Sequence, residues 1–569
     1  MASGISATDD TTDGTEGQSS KSASRVLSRS LGSQELLMLP RQYSIYLNKP
    51  EAPAPFPQMN HVCVALLSAT PPTASLKAAI DDALSAHPLL RAKVSGSGEP
   101  EKRIDLFQMV REGNPDPERF VAPPADAPEL IGFGAEGILR VVDLSSDAEL
   151  RSSWEARFRE DLDDGSWCDT ANGPLWKVEL HRMASPDAPS ALVFSFNHCI
   201  SDQSSANLLL DQILANVAGE LNTAVQAEMP LSLEESVLGI GNKWEDVKLD
   251  GMGLGTALYV AGKAAEGFRS PVIVPDEERE DTDGGAGFLG ALSTISGRSA
   301  GGTDAGASAR KSAVQFRTLS SDGTTSLLNK CRSEGVSVTN ALTAAAALTA
   351  TDFINGGQIK EEKERNYKVL QSLDMRRFGE QLDQLESVAC MAGSMDLMLG
   401  PLPDLSGEGA RVTTSAIPIF WDLAREGKKQ TSAFVKSGGP GHATRVFDFA
   451  MSISDMNNLV HLTAESAASQ GRAYSAGVSN VGVFERQRAV RREGDTDRGT
   501  LKSKHGKYGI EEIYFATPHS RSGCLYQVSS MTVNGKMMLT FHPAKPIVSE
   551  GTNKAFADAF IELLEASWK

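Results

Sequence analysis

Cysteine is scarce in this chain and poorly spaced for any pairing chemistry. Its six residues (Cys63, Cys168, Cys199, Cys331, Cys390, Cys524) form no Cys-x-x-Cys and no knot of short intervals. That argues against a disulfide framework and a structural zinc site, and it fits buried thiols in a reducing compartment. Long apolar runs are missing too. The richest stretch, Val338 to Ile354, is broken by Thr, Asn and Asp, so no transmembrane segment is expected. Positive charge is in deficit, with 55 Lys and Arg against 73 Asp and Glu for a net charge of −18. Nucleic acid and anionic membranes both demand a basic footprint, which excludes them as partners. The first forty residues lack the apolar core of a secretory signal. Arg25, Arg29 and the serines around them resemble part of an organelle transit peptide, but Asp9, Asp10, Asp13 and Glu16 argue against one. A disordered tail and a cytoplasmic location are the expectation, with organelle import left open.

What is present is the balance of a globular protein, 40% hydrophobic and 22% charged, over 569 residues. That length exceeds one ordinary core and implies two lobes. Strand-like and helix-like segments alternate through both halves. Asn60 to Leu67 reads as a strand and Leu76 to Leu84 as a helix stopped at His87-Pro88. Leu89 to Val94 reads as a strand again, and Trp154 to Leu162 as a helix. Gln527 to Val533 and Lys536 to His542 flank Asn534-Gly535, a hairpin signal because both turn positions must reach positive φ. The expected organisation is a tail over 1–35, a first lobe over 36–275, a low-complexity linker over 276–312 and a second lobe over 313–569. The acidic and Gly/Ser/Ala-rich segment Asp276–Ser312 and the charged segment Glu485–Tyr508 are expected to be mobile surface excursions. Gly251-x-Gly253-x-Gly255 follows no clear strand and carries no nucleotide-site expectation.

The most informative segment is Asn197-His198-Cys199-Ile200-Ser201-Asp202-Gln203, directly after the apolar run Ala191 to Phe196. After it, Ala206, Leu209, Leu210, Ile213, Leu214 and Val217 follow the 3.6-residue period of an amphipathic helix. The segment therefore reads strand, turn, helix, with His198 at the strand exit and Asp202 at the helix start. A histidine so placed is a candidate general base. Asp202 is either a helix cap or a partner of the site. Cys199, as a neighbour in sequence, is not expected to face His198.

Several pieces in order resemble the condensation-like acyltransferase superfamily, which shares the chloramphenicol acetyltransferase fold. They are Asp82 to Arg91, Asn197 to Asp202 (a His-x-x-x-Asp motif), Val336 to Ala345, Asp374-Met375-Arg376 and Ser479-Asn480-Val481-Gly482. The resemblance implies an α/β fold of two sandwich lobes with a tunnel between them. It implies His198 as general base, and Asp202 turned away from substrate to pair with Arg376 of the other lobe. Ser479 and Asn480 would line the tunnel and offer a donor to the oxyanion. The chain departs from the family where Asn197 replaces the first histidine of condensation domains, where Gln203 replaces a common glycine, and where the plant Asp-Phe-Gly-Trp-Gly is missing. These departures favour an alcohol acetyltransferase or polyketide-associated type. The implied reaction is direct acyl transfer from acyl-CoA, a co-substrate rather than a cofactor, to a small alcohol, with no metal. The alternatives are an amine acceptor, a carrier-protein donor, or a non-catalytic binding or scaffold protein of the same fold. Acyl chain length, acceptor identity and oligomeric state are not legible.

Overall fold

Two six-stranded sheets organise the chain. The computed structural model describes residues 25–39, 59–95, 118–125, 134–220, 228–239, 256–259, 261–262, 310–355, 365–378, 387–402, 416–453, 470–486, 500–519 and 522–569. The first sheet has the order β13-β14-β2-β7-β6-β5: β13 (Lys504–His505), β14 (Tyr508–Ala516), β2 (Asn60–Leu67), β7 (Ser190–Asn197), β6 (Trp176–Arg182) and β5 (Leu139–Asp143). Its central strands are buried on both faces and read as continuous apolar runs, so β2 and β7 carry Val, Leu and Phe without alternation. The helices α2 (Thr73–Ala86), α3 (Asp147–Asp163) and α4 (Gln203–Val217) belong to this lobe.

The second sheet has the order β11-β10-β12-β15-β16-β9: β11 (Ala392–Leu402), β10 (Arg365–Asp374), β12 (Arg472–Val483), β15 (Gly523–Val533), β16 (Lys536–Phe541) and β9 (Gln315–Leu319). One face packs on α6 (Ser321–Ser333), α7 (Val338–Asn355), α8 (Ala416–Lys436) and α10 (Glu550–Trp568). Ala341, Ala344, Ala345, Ala346, Ala347 and Ala350 of α7 are all fully buried. Their small side chains let the helix lie close to its neighbours, which explains an apolar run too poor in large residues to suit a membrane. No helix among the described residues is long and apolar enough to cross one. The opposite face turns toward the first lobe: Met531, Val533 and Met538 join the first core, whereas Tyr526 and Val528 join the second. The Asn534-Gly535 turn between β15 and β16 has φ of 48° and 76°, as its sequence requires.

Three sequence expectations need correction. Residues 27–38 are ordered: β1 (Leu27–Ser30) pairs with β4 (Arg119–Ala122), which also pairs with β3 (Lys93–Ser95), and α1 (Ser33–Met38) follows. Within this segment Arg29 donates to both oxygens of Glu35 at 2.7 and 2.6 Å. Leu89–Arg91 forms a short 3-10 turn rather than a strand, because Arg91 folds back to donate to the Leu84 and Ser85 carbonyls at the end of α2. The chain also crosses between lobes. β13 and β14 come from the second half yet complete the first sheet, so the lobes are not contiguous in sequence.

The same crossing changes the reading of Glu485–Tyr508. Residues 487–499 lie outside the described set, but 500–508 are packed rather than free. Leu501 is buried, and the His505 ring is held between Asp211 at 3.0 Å and Glu220 at 2.9 Å. Of the expected linker 276–312, all but 310–312 lies outside the described residues, as does Gly251-x-Gly253-x-Gly255. Its last residues are anchored: the Ser312 N–H and hydroxyl both donate to Asp163, and Arg310 donates to the Gln470 carbonyl.

Candidate active site

β7 lies between β2 and β6 and ends at Asn197. There the chain turns sharply. The His198 N–H donates to the Met59 carbonyl at 2.8 Å, and the Asn197 side chain accepts from the Cys199 N–H at 3.1 Å. α4 starts at once, with Asp202 as its N-cap accepting from the Ser205 N–H at 2.9 Å. Asn197 thus has a structural reason to be there: its amide fixes the turn that carries His198.

The His198 ring is only 7% exposed. Its Nδ1 lies 2.6 Å from the Ser201 carbonyl oxygen. A carbonyl only accepts, so Nδ1 carries the proton and Nε2 keeps its lone pair. No hydrogen-bond partner of Nε2 exists among the described residues. Burial lowers the His198 pKa below 6.5, and the Ser201 carbonyl and Asp202 oppose this without reversing it. At neutral pH the group is a free base.

Asp202 is both the cap and the partner. Beyond Ser205, its carboxylate accepts from Arg376 Nη1 at 2.7 Å, from Arg376 Nη2 at 3.1 Å and from the Met391 N–H at 2.8 Å. Arg376 also donates to Ser205 Oγ at 2.8 Å and to the Ala389 carbonyl at 2.9 Å. Both side chains are nearly inaccessible, at 5% and 8%. Burial alone would raise the Asp202 pKa, but the Arg376 charge and its hydrogen bonds bring it below 3.8. Arg376 is likewise raised above its ordinary value, burial opposing and Asp202 prevailing. The pair ties the start of α4 to the end of β10, one lobe to the other. The acceptor sites of Asp202 are filled by these four hydrogen bonds.

Ser479 and Asn480, expected side by side in the site, take opposite faces, as neighbours on a strand must. The Asn480 amide donates to Thr339 Oγ1 of α7 at 3.0 Å, so it braces the helix side of the sheet. Ser479 pairs across β15 with Ser529, on the face turned toward the first lobe. The Ser479 hydroxyl has no hydrogen-bond partner among the described residues, while its backbone belongs to the β12–β15 pairing.

Three neighbours of His198 went unnoticed in the sequence. His61 on β2 lies with its ring 5.6 Å from that of His198 and shares a hydrogen bond of 2.9 Å with Gln203 Oε1. Gln203 also donates to Asn207 Oδ1 at 2.7 Å, so the residue that replaces the family's glycine belongs to a buried network. Cys390 places Sγ 3.8 Å from His198 Nδ1. His519, after β14, is near enough that a proton on His198 would lower its pKa, and its ring centre is 5.7 Å from that of His542. Strand pairing sets β2, with His61, beside β7 and places β14 on the far side of β2, whereas Cys390 comes from just before β11 of the second sheet, so none of these contacts is local in sequence. Burial leads the shift of every ring: His61 falls to about 3, His519 to about 4, and His542 well below 6.5. Burial likewise pushes Cys199 and Cys390 well above 9.0, so neither is a thiolate. Among the described residues no cluster of three or more His, Cys, Asp or Glu could hold a metal ion.

No family model matches the chain, and no curated protein matches it. Solved structures do. TRI3 trichothecene 15-O-acetyltransferase from Fusarium sporotrichioides aligns with a TM-score of 0.64 at 12% identity, covering 95% of this chain and 96% of that one. The condensation domain of the monacolin K polyketide synthase MokA gives 0.57 at 11% identity, over 95% and 98%. Polyketide synthase associated protein 5 from Mycobacterium tuberculosis gives 0.51 at 14%, over 95% and 98%. The two-lobed fold of condensation-like acyltransferases therefore extends over nearly the whole chain.

Proposed function

We propose that this protein transfers an acyl group from acyl-CoA to an alcohol hydroxyl, with His198 as general base. The observation that carries the reading is the state of His198: Nδ1–H is fixed on the Ser201 carbonyl and Nε2 is unengaged in a buried setting that keeps it neutral. In the proposed step the hydroxyl proton passes to Nε2 as the oxygen attacks the thioester carbonyl. Ser479 Oγ–H donates to the oxyanion that develops. The C–S bond then breaks, and the thiolate takes the proton back from His198. Arg376 and Asp202 hold the two walls in register while remaining outside the chemistry.

The deciding experiment is a thiol-release assay with acetyl-, medium-chain and long-chain acyl-CoA against pooled alcohols and amines. Turnover with alcohols is the expected result. Release with amines alone would move the acceptor to nitrogen, and no release above the acceptor-free rate with any pair would overturn the reading.

Direct transfer is the expected route. The string Gly297-Arg298-Ser299-Ala300-Gly301 does match the Gly-x-Ser-x-Gly of a nucleophile elbow, although no activated serine is recognisable from the surrounding sequence. It falls in the Gly/Ser/Ala tract, outside the described residues, with no strand signal before it. Cys199 and Cys390 are both un-ionised at neutral pH, and the proton of His198 Nδ1 is already given to a carbonyl. Incubation with acyl-CoA and no acceptor should leave the intact mass unchanged, and Cys199→Ser should keep most of the activity. A stoichiometric adduct that is discharged on adding the alcohol would establish a ping-pong route through the labelled residue instead.

A further inference from the structure

Gln527 lies on the inner face of the second sheet and takes no part in the chemistry above. It is 3% exposed and pairs across the sheet with Gly477 of β12. Its Oε1 is buried with no hydrogen-bond partner among the described residues. Unpaired buried acceptors are destabilising, and although other buried side-chain atoms of the chain share this state, Gln527 Oε1 stands on the face that carries Ser479, where a ligand group would meet it. Gly477 is what admits the amide: a Cβ there would stand 2.0 Å from Gln527 Oε1 and 2.3 Å from Cys524 Sγ. The direction is set by the strand. Gln527, Ser529 and Met531 alternate onto one face. Ser529 Oγ lies 2.9 Å from His542 Nε2, and Met531 Sδ accepts from Asn207 of α4 at 3.4 Å. That face is the one turned toward the first lobe, where Asn207 belongs to the Gln203–His61 network beside His198. On β12 the next residue of the same face after Gly477 is Ser479, roughly 6–7 Å along the strand.

We propose that Gln527 is a substrate-recognition residue whose amide oxygen accepts a hydrogen bond from a neutral O–H or N–H of the ligand. That ligand group would lie one strand repeat from the carbonyl undergoing transfer at Ser479. The proposal rests on the acyl-transfer reading and narrows it, because a purely aliphatic alcohol with a bare thioester would leave the amide unpaired. Two ligand parts carry this chemistry: a second hydroxyl on the acceptor, or an amide N–H in the pantetheine arm of the donor.

The test compares wild type with Gln527→Met, which keeps the length and removes the amide, and with Gln527→Glu, which keeps an acceptor. Thiol release is measured for 1,4-cyclohexanediol against cyclohexanol, and for S-acetyl-N-acetylcysteamine against S-ethyl thioacetate. Wild type should prefer the polar member of one pair, and Gln527→Met should cut that preference on the order of ten-fold, the worth of one neutral hydrogen bond with its desolvation. Gln527→Glu should retain it. The diol pair responding assigns the acceptor as the source, and the thioester pair assigns the donor. Preferences that are the same in wild type and Gln527→Met overturn the proposal. Melting curves show whether each variant is folded. If Gln527→Met does not fold, the comparison is read from Gln527→Leu. If wild type turns over none of these surrogates, the acyl-transfer reading is decided by the acyl-CoA assay above. Saturation-transfer NMR with the diol and with N-acetylcysteamine then reads Gln527 without turnover, equal signals in wild type and Gln527→Met overturning it.

Discussion

Replacing His198 with alanine is expected to lower acyl transfer by roughly 10²–10⁴-fold while leaving the protein folded, the usual worth of a positioned general base. The ring makes one strong hydrogen bond, to Ser201 within its own turn, and the ties between the lobes run through Asp202 and Arg376. Its loss therefore removes a base without releasing a lobe. The pH profile of kcat/KM in wild type should carry the same signature. Only the neutral ring acts, and burial lowers its pKa below 6.5. Activity should be flat through neutral pH and fall on the acid side, with a midpoint below the ordinary histidine value. A properly folded His198→Ala within a few-fold of wild type would remove His198 from the chemistry. An acid limb centred above 6.5 would contradict the neutral-base assignment.

The turn at His198 was legible because its signals are local. An apolar strand, a histidine at its exit, an acidic cap and a helical stripe follow one another in about twenty-five residues. The Asn534-Gly535 hairpin was legible for the same reason: two positive φ values select two residue types. What stayed hidden depends on pairing over long separations. Nothing near Tyr508 announces that β14 leaves the second half to join β2, and with it come Tyr514 and, just beyond the strand, His519. Arg91 reads as an ordinary residue of an apolar run until its guanidinium is seen on the carbonyls that end α2. Ser479 and Asn480 show the limit of a motif. A string of adjacent letters suggests a shared site, but a pleated strand sends alternate side chains to opposite faces, and Asn480 bonds Thr339 instead. Gln203 makes the converse point. Against a family pattern it is a departure, yet beside His61 and Asn207 it completes a buried hydrogen-bond network that no pattern of neighbours could reveal.

Asp202→Ala and Arg376→Ala should each cost about 3–5 kcal/mol of stability, and the double variant should cost far less than their sum. Each single change leaves a buried charge without its partner. Arg376 stripped of Asp202 keeps Ser205, the Ala389 carbonyl and a 3.3 Å contact with Asp374, so part of its charge remains compensated. Asp202 stripped of Arg376 keeps only the Ser205 and Met391 N–H groups. Arg376→Ala is therefore expected to be the more damaging of the two. The pair also fixes a pH dependence. Asp202 has a folded pKa below the ordinary 3.8. Its stabilising contribution is thus complete above 3.8 and is lost as pH falls through the lower folded value. In Arg376→Ala the carboxyl keeps the burial penalty and loses the compensating charge, so its folded pKa should rise. Protonation then relieves the penalty, so the stability gap between wild type and that variant should narrow as pH falls through the raised value. Urea titrations of the four proteins between pH 3 and 7 measure all of this. Strictly additive losses, or a gap between wild type and Arg376→Ala that stays constant down to pH 3, would show that the two side chains touch without stabilising one another.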